Sequence, residues 1–118
     1  MNKLLLILFL LLPFKSLSQE YITSSDFHWK IRRDITVVEF WAGWNRGNEI
    51  LFLHELENCA AYRHVVCRDK KMMEEFNVTA APTIIIFKHG EEKARFSPNI
   101  MLKVTATKKE VQSIIDSL

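Results

Sequence analysis

Glycine, proline and cysteine are all scarce in this 118-residue chain, with three, three and two residues respectively. So few glycines leave no glycine-rich phosphate loop, the element that nucleotide-binding sites need to bring backbone N–H groups onto a phosphate. The prolines are isolated, and there is neither a low-complexity linker nor an internal repeat. Two cysteines, Cys59 and Cys67, permit one bridge at most. No zinc pattern is present, and the four histidines (His28, His54, His64 and His89) are scattered without metal-ligand spacing. Each therefore reads as a surface or packing residue, and no metal or cofactor is implied. A Ser-His-Asp signature is also missing.

Excess charge is the next absence. Residues 1–18 read as a secretory signal peptide: Lys3 gives the positive start, Leu4 to Leu12 the apolar core, and Ser16-Leu17-Ser18 a small-x-small cleavage pattern before Gln19. The apolar run stops at Pro13, short of the roughly 20 residues an ordinary membrane span requires. No cysteine lies near the cleavage point to carry a lipid. Removing residues 1–18 takes away Lys3 and Lys15 and leaves 14 basic against 14 acidic residues, a net charge of zero. Nothing then suggests a nucleic-acid footprint or a polybasic membrane patch. The expected product is one domain over residues 19–118, extracytoplasmic (periplasmic or secreted), with no stable membrane span after cleavage and with a disulfide-permissive destination.

Thr36 to Glu49, T-V-V-E-F-W-A-G-W-N-R-G-N-E, is the stretch around which the rest is organised. Ile35 to Ala42 is apolar, β-branched and aromatic, fitting a central strand covered on both faces. The motif V-V-E-F-W-A-x-W resembles the central strand of the thioredoxin family. There the following residues are the redox pair C-x-x-C at a helix N-terminus. Here Asn45 and Asn48 hold the two-residue spacing, and a carboxamide cannot become the thiolate that exchange chemistry requires. Glu39 lies where the family carries a buried acid that aids proton transfer. On its own terms it is a structural residue or an acid with a raised pKa. The stretch Trp44 to Phe52 is also shorter than the family pattern and lacks the helix proline many members carry.

A second stretch, F-N-V-T-A-A-P-T-I-I-I-F-K-H-G-E (Phe76 to Glu91), resembles the family's helix end, cis-proline loop, strand and hairpin. The resemblance implies a cis Ala81–Pro82 bond and a peptide-binding surface formed by Trp44, Ala81 and Pro82, with the Ala81 backbone pairing to an extended substrate. Asn77-Val78-Thr79 matches a glycosylation sequon by pattern, with a plain loop as the simpler reading.

Elsewhere, Glu20 to Thr23 predicts a short edge strand. Ser24-Ser25-Asp26 predicts the cap of a helix to Arg33 that buries Phe27 and Ile31 and leaves Trp29 off the core face. A helix is expected after Asn48, with Leu53, Leu56 and Ala60 as its core stripe. Leu51 and Phe52 widen that stripe, as further core or as a partner-binding patch beside the loop. Tyr62 to Arg68 reads as a strand, and Asp69 as the cap of a helix through Phe76, ended by Asn77. Thr83 to Phe87 and Glu92 to Ser97 form a hairpin around Gly90. Thr107-Lys108-Lys109-Glu110 is a capping box opening a last helix that buries Val111, Ile114, Ile115 and Leu118. The segment 97–107 has no counterpart in the family pattern.

The order β-α-β-α-β-α-β-β-α predicts an α/β thioredoxin-like fold, a central mixed sheet flanked by helices. The leading expectation is a non-catalytic module or subunit that binds a protein or an extended peptide. The alternative is an atypical thiol-disulfide oxidoreductase using Cys59 and Cys67, which the sequence places near the end of the long helix and in the next strand. Outside catalysis the same cysteines are either a possible structural disulfide or two buried free thiols, and the sequence leaves both open.

Overall fold

The computed structural model describes residues 19–44, 47–66 and 69–118. Its centre is β1 (Ile35–Trp41), buried throughout except at its two ends. A strand covered on both faces can be apolar at every position, which is why this one does not alternate. β2 (Ala60–Val65) runs parallel to it, with Thr36 opposite Ala60 and Trp41 opposite Val65. β3 (Thr83–Lys88) runs antiparallel on its other side, with Phe40 opposite Thr83, and β4 (Glu91–Phe96) pairs antiparallel with β3. The sheet order is β2-β1-β3-β4. The β3–β4 turn places His89 and Gly90 at φ 51° and 86°, the two positive values a two-residue primed turn needs.

Among the described residues three short helices cover the sheet, α1 (Phe27–Ile31), α2 (Lys70–Glu75) and α3 (Lys108–Ser117). α2 begins where the Asp69 carboxylate accepts the Met72 N–H, and it ends as Asn77 turns to φ 52°. At α3 the Thr107 hydroxyl accepts the Glu110 N–H at 3.2 Å. Because strand side chains alternate, the sheet has two chemically different faces. One packs Phe27, Phe40, Tyr62, Ile85 and Phe87 with Met72 and Val78, under α1 and α2. The other packs Val37, Ile84 and Ile86 with Ile50, Leu53, Leu56, Val111 and Ile115, under α3 and the segment 47–59.

Several expected elements take a different form. The helix expected after Asn48 is a single 3-10 turn, Leu53–Glu55, inside an otherwise irregular segment. Its apolar residues still reach the core, since Ile50, Leu53 and Leu56 are buried, yet Leu51 is 73% exposed. The backbone explains the loss of helix. The Ile50 carbonyl, which a helix opening at Asn48 would turn toward the N–H four residues on, accepts from Arg63, and the Ile50 N–H is held by Glu39. Asn58, at φ 62°, then redirects the chain. The edge strand expected at Glu20 to Thr23 is reduced to one bridge, Tyr21 beside Arg63. The strand expected at Tyr62 to Arg68 starts two residues earlier, at Ala60, and ends at Val65; Cys67 and Arg68 lie outside the described residues. Asp26 precedes α1, but its carboxylate accepts from the Thr23 N–H at 2.7 Å and pairs with Lys30 at 2.9 Å instead of capping the helix.

Candidate functional site

β1 runs parallel to β2 and antiparallel to β3, so the end of β1 and the start of β3 share one end of the sheet. That geometry brings together the positions the sequence singled out. Trp44 follows β1 by three residues and is 71% exposed. The Ala81–Pro82 bond, just before β3, is cis. Pro82 is buried and Ala81 half-buried against the aromatic face. The Thr83 hydroxyl closes this loop by donating to the Ala80 carbonyl at 2.6 Å. Asn45 lies outside the described residues. Asn48 is half-buried, and its side-chain amide donates to the Leu102 carbonyl at 2.9 Å.

That last bond brings in the segment 97–107, whose role the sequence left open. Asn99 folds it into a tight turn, its carboxamide oxygen accepting the N–H groups of Met101 and Lys103 while its own N–H donates to the Lys103 carbonyl. Leu102 sits at φ 57°. The turn tip is apolar and open to solvent, with Ile100 94% and Met101 70% exposed. The signal was in the sequence: an I-M-L triplet following Pro98-Asn99 is odd for a solvated loop.

Glu39 lies beneath this end of the sheet, fully buried on the aliphatic face. Oε1 accepts from the Arg63 Nε at 2.7 Å and Oε2 from the Ile50 N–H at 2.8 Å, while the Arg63 Nη2 donates to the Ile50 carbonyl at 2.8 Å. Arg63 also lies 5.3 Å from the Trp41 ring. Burial pushes the Glu39 carboxyl above its ordinary range, against the opposing pull of Arg63 and of the Ile50 N–H. With both oxygens occupied, Glu39 acts here as an anchor for the start of the irregular segment.

On the opposite face the next residue of β2, His64, is also buried. Nδ1 lies 2.8 Å from the Ile22 carbonyl and Nε2 lies 3.0 Å from Asp69 Oδ2. The rings of Phe27 and Phe40 pack edge-on against it. Sequence reasoning took Arg63 and His64 as ordinary strand residues. Two adjacent charged or titratable residues in a short strand were the available signal, since each must then find a partner on its own face.

Cys59 directly precedes β2, rather than closing a long helix, and packs half-buried against the aliphatic cluster. Its expected partner Cys67 lies outside the described residues. Among the described residues no group of three or more His, Cys, Asp or Glu side chains is arranged to hold a metal ion, and no helix is long and apolar enough to cross a membrane.

No family model matches the chain, and no curated protein matches it in sequence. Solved structures do. A thioredoxin mutant from Halobacterium salinarum superposes with a TM-score of 0.65 at 16% identity, covering 86% of this chain and 95% of that one. A thioredoxin from Malassezia sympodialis gives 0.65 at 19% identity, covering 90% and 95%. A thioredoxin from Plasmodium falciparum gives 0.64 at 18% identity, covering 85% and 98%. The fold is thioredoxin-like, a four-stranded mixed sheet flanked by helices, at an identity that speaks for architecture alone.

Proposed function

We propose that this chain is an exported thioredoxin-fold protein that binds an extended protein segment and performs no thiol exchange at the Asn45 and Asn48 positions. One observation carries the reading. The sheet end that bears Trp44 and the cis Ala81–Pro82 loop remains built, and a side-chain hydrogen bond from Asn48 braces it against the 99–103 turn. An exposed indole at the same sheet end as a cis-proline loop suits an extended segment, with main-chain bonds supplying affinity and the ring supplying contact area. Export rests on residues 1–18, whose charge, apolar core and cleavage pattern fit a signal peptide.

Two measurements on the mature chain test the proposal. Incubated with a dithiol donor and a disulfide substrate, it should give no reduction above a no-protein control. Turnover that disappears when Cys59 and Cys67 are replaced by serine would instead establish the oxidoreductase reading. Against an immobilised panel of extended peptides, Trp44→Ala should weaken capture at least tenfold; equal capture by both forms would remove the site from this end of the sheet.

A further inference from the structure

Eight large apolar side chains are exposed among the described residues, and five of them, Trp44, Leu51, Ile100, Met101 and Leu102, lie within four residues of the Asn48–Leu102 hydrogen bond. Exposed apolar surface gathered in one place marks a contact with something apolar. Ile100 and Met101, 94% and 70% exposed, stand clear of their own chain, so they form a protruding tip and not the wall of a groove. A groove takes a segment between its walls, whereas a bare tip needs a soft apolar medium that can close around it.

We propose that the 99–103 turn docks the protein on the surface of a bilayer that carries anionic lipids. Docking of this kind is independent of peptide binding. A tip enters the boundary between headgroups and acyl chains at little cost only when its backbone polar groups need no water. Here the Met101 and Lys103 N–H groups donate to the Asn99 carboxamide oxygen and the Leu102 N–H to the Asn99 carbonyl. The Leu102 carbonyl accepts from the Asn48 side chain and the Lys103 carbonyl from the Asn99 N–H. The apolar side chains thus ride on a turn whose backbone is already bonded.

Charge selects the kind of bilayer. Residues 97–109 hold three lysines, Lys103, Lys108 and Lys109, all exposed, and no acid. Lys103 belongs to the turn itself. The other two share its end of the sheet: β4 reaches that end at Phe96, and α3 runs away from it to Leu118, whose carbonyl accepts from Lys88 at the far end of β3. Of the acids that adjoin the turn and its tether, Glu49 accepts from the Gly47 N–H and Glu110 from the Thr107 hydroxyl. A net charge of zero over residues 19–118 conceals this local imbalance. Apolar insertion and a cationic flank are the two contributions by which a peripheral protein holds an anionic membrane surface.

The chain from Gln19 onward holds the whole sheet and both core clusters, and it lacks residues 1–18, whose apolar run would partition by itself. Mixed with phosphatidylcholine vesicles containing phosphatidylglycerol, it should float with them in a density gradient at least tenfold more than with phosphatidylcholine alone, and added salt should narrow that ratio. Ile100→Glu with Met101→Glu should cut flotation at least tenfold at an unchanged melting temperature, since neither side chain packs in the core. Lys103→Gln with Lys108→Gln and Lys109→Gln should bring binding to the anionic vesicles down to the phosphatidylcholine level. A chain that floats with neither vesicle, or a tip variant that floats as the native chain does, would overturn the proposal. So would a native chain that stays off vesicles while the tip variant loses peptide capture or self-association, which would give the turn to a peptide or to a second copy of the chain.

Discussion

Arg63 and His64 are neighbours in β2, and they point to opposite faces of the sheet. Arg63 fastens the irregular segment to the sheet through Glu39, and His64 meets Asp69 at the start of α2. The difference lies in the cation. A guanidinium stays charged at any pH a protein survives, so on the Arg63 side of that tie the charge is fixed. An imidazole is a cation only when both ring nitrogens carry protons, so the His64 contact with Asp69 is an ion pair in that form alone. The aliphatic face, covered by α3 and the irregular segment 47–59, has the guanidinium; the aromatic face, covered by α1 and α2, has the imidazole.

The strongest way to break this contrast is Arg63→Met, which strands Glu39 in the core without its cation and should cost about 3–5 kcal/mol. Chemical denaturation will read that as a large drop in midpoint, a substantial share of a stability of roughly 5–15 kcal/mol for a domain of this size. Replacing both partners, Glu39→Leu with Arg63→Met, should recover only part of the loss. The Ile50 N–H and carbonyl both lose their bonds in that protein, at about 1–3 kcal/mol for each buried group left unpaired. Full recovery would mean that the pair is not what holds the segment.

The two coverings can then be compared directly. Phe27→Ala should cost about 3–5 kcal/mol and Leu53→Ala about 2–5 kcal/mol, since both side chains are fully buried. If the segment 47–59 is the looser cover, it will collapse around the smaller side chain and place Leu53→Ala at the low end of its range. Equal losses would say that the irregular segment packs as rigidly as the helices.

A pH series sharpens the Glu39 side. Burial raises its folded-state pKa above the ordinary value of 4.5. The stability it contributes is therefore fully present below that value and declines as pH rises through the folded pKa. Subtracting the stability profile of Glu39→Gln from that of the native chain should reveal this decline; a contribution that grows with pH would show Arg63 outweighing burial. The smallest effect belongs to Thr107→Ala, which removes the α3 cap and should cost about 1 kcal/mol by thermal or chemical melting.

Much of this architecture was legible in the residues. The apolar run from Ile35 marks β1 to within one residue, because a strand buried on both faces advertises itself by composition. The hairpin at His89-Gly90 and the cap at Thr107 follow from local turn and cap chemistry, which depends on a few adjacent residues. The segment after Asn48 was not legible. Ile50, Leu53 and Leu56 are spaced as on a helix face, and they do reach the core, but the Ile50 N–H and carbonyl are claimed by Glu39 of β1 and Arg63 of β2. A periodicity of side chains does not record where backbone groups find their partners. The same holds at the site. Trp44 and Ala81–Pro82 carry their own signature, whereas the Asn48 bond to Leu102 joins residues 54 apart in sequence and no local pattern announces it.

The short N-terminal stretch against β2 has a consequence for how copies of the chain meet one another. β2 is a border of the sheet, and the border strand of any sheet offers unpaired N–H and carbonyl groups to a passing strand. Here the Arg63 N–H already donates to Glu20 and the Arg63 carbonyl accepts from Ile22, while Gln19 donates to the Ala61 carbonyl. At the other border β4 displays Glu91, Glu92, Lys93 and Arg95. Residues 19–22 thus lie as a self-supplied guard strip: one border has backbone already in use and the other carries charge, the two devices by which sheet borders are blunted against a passing strand.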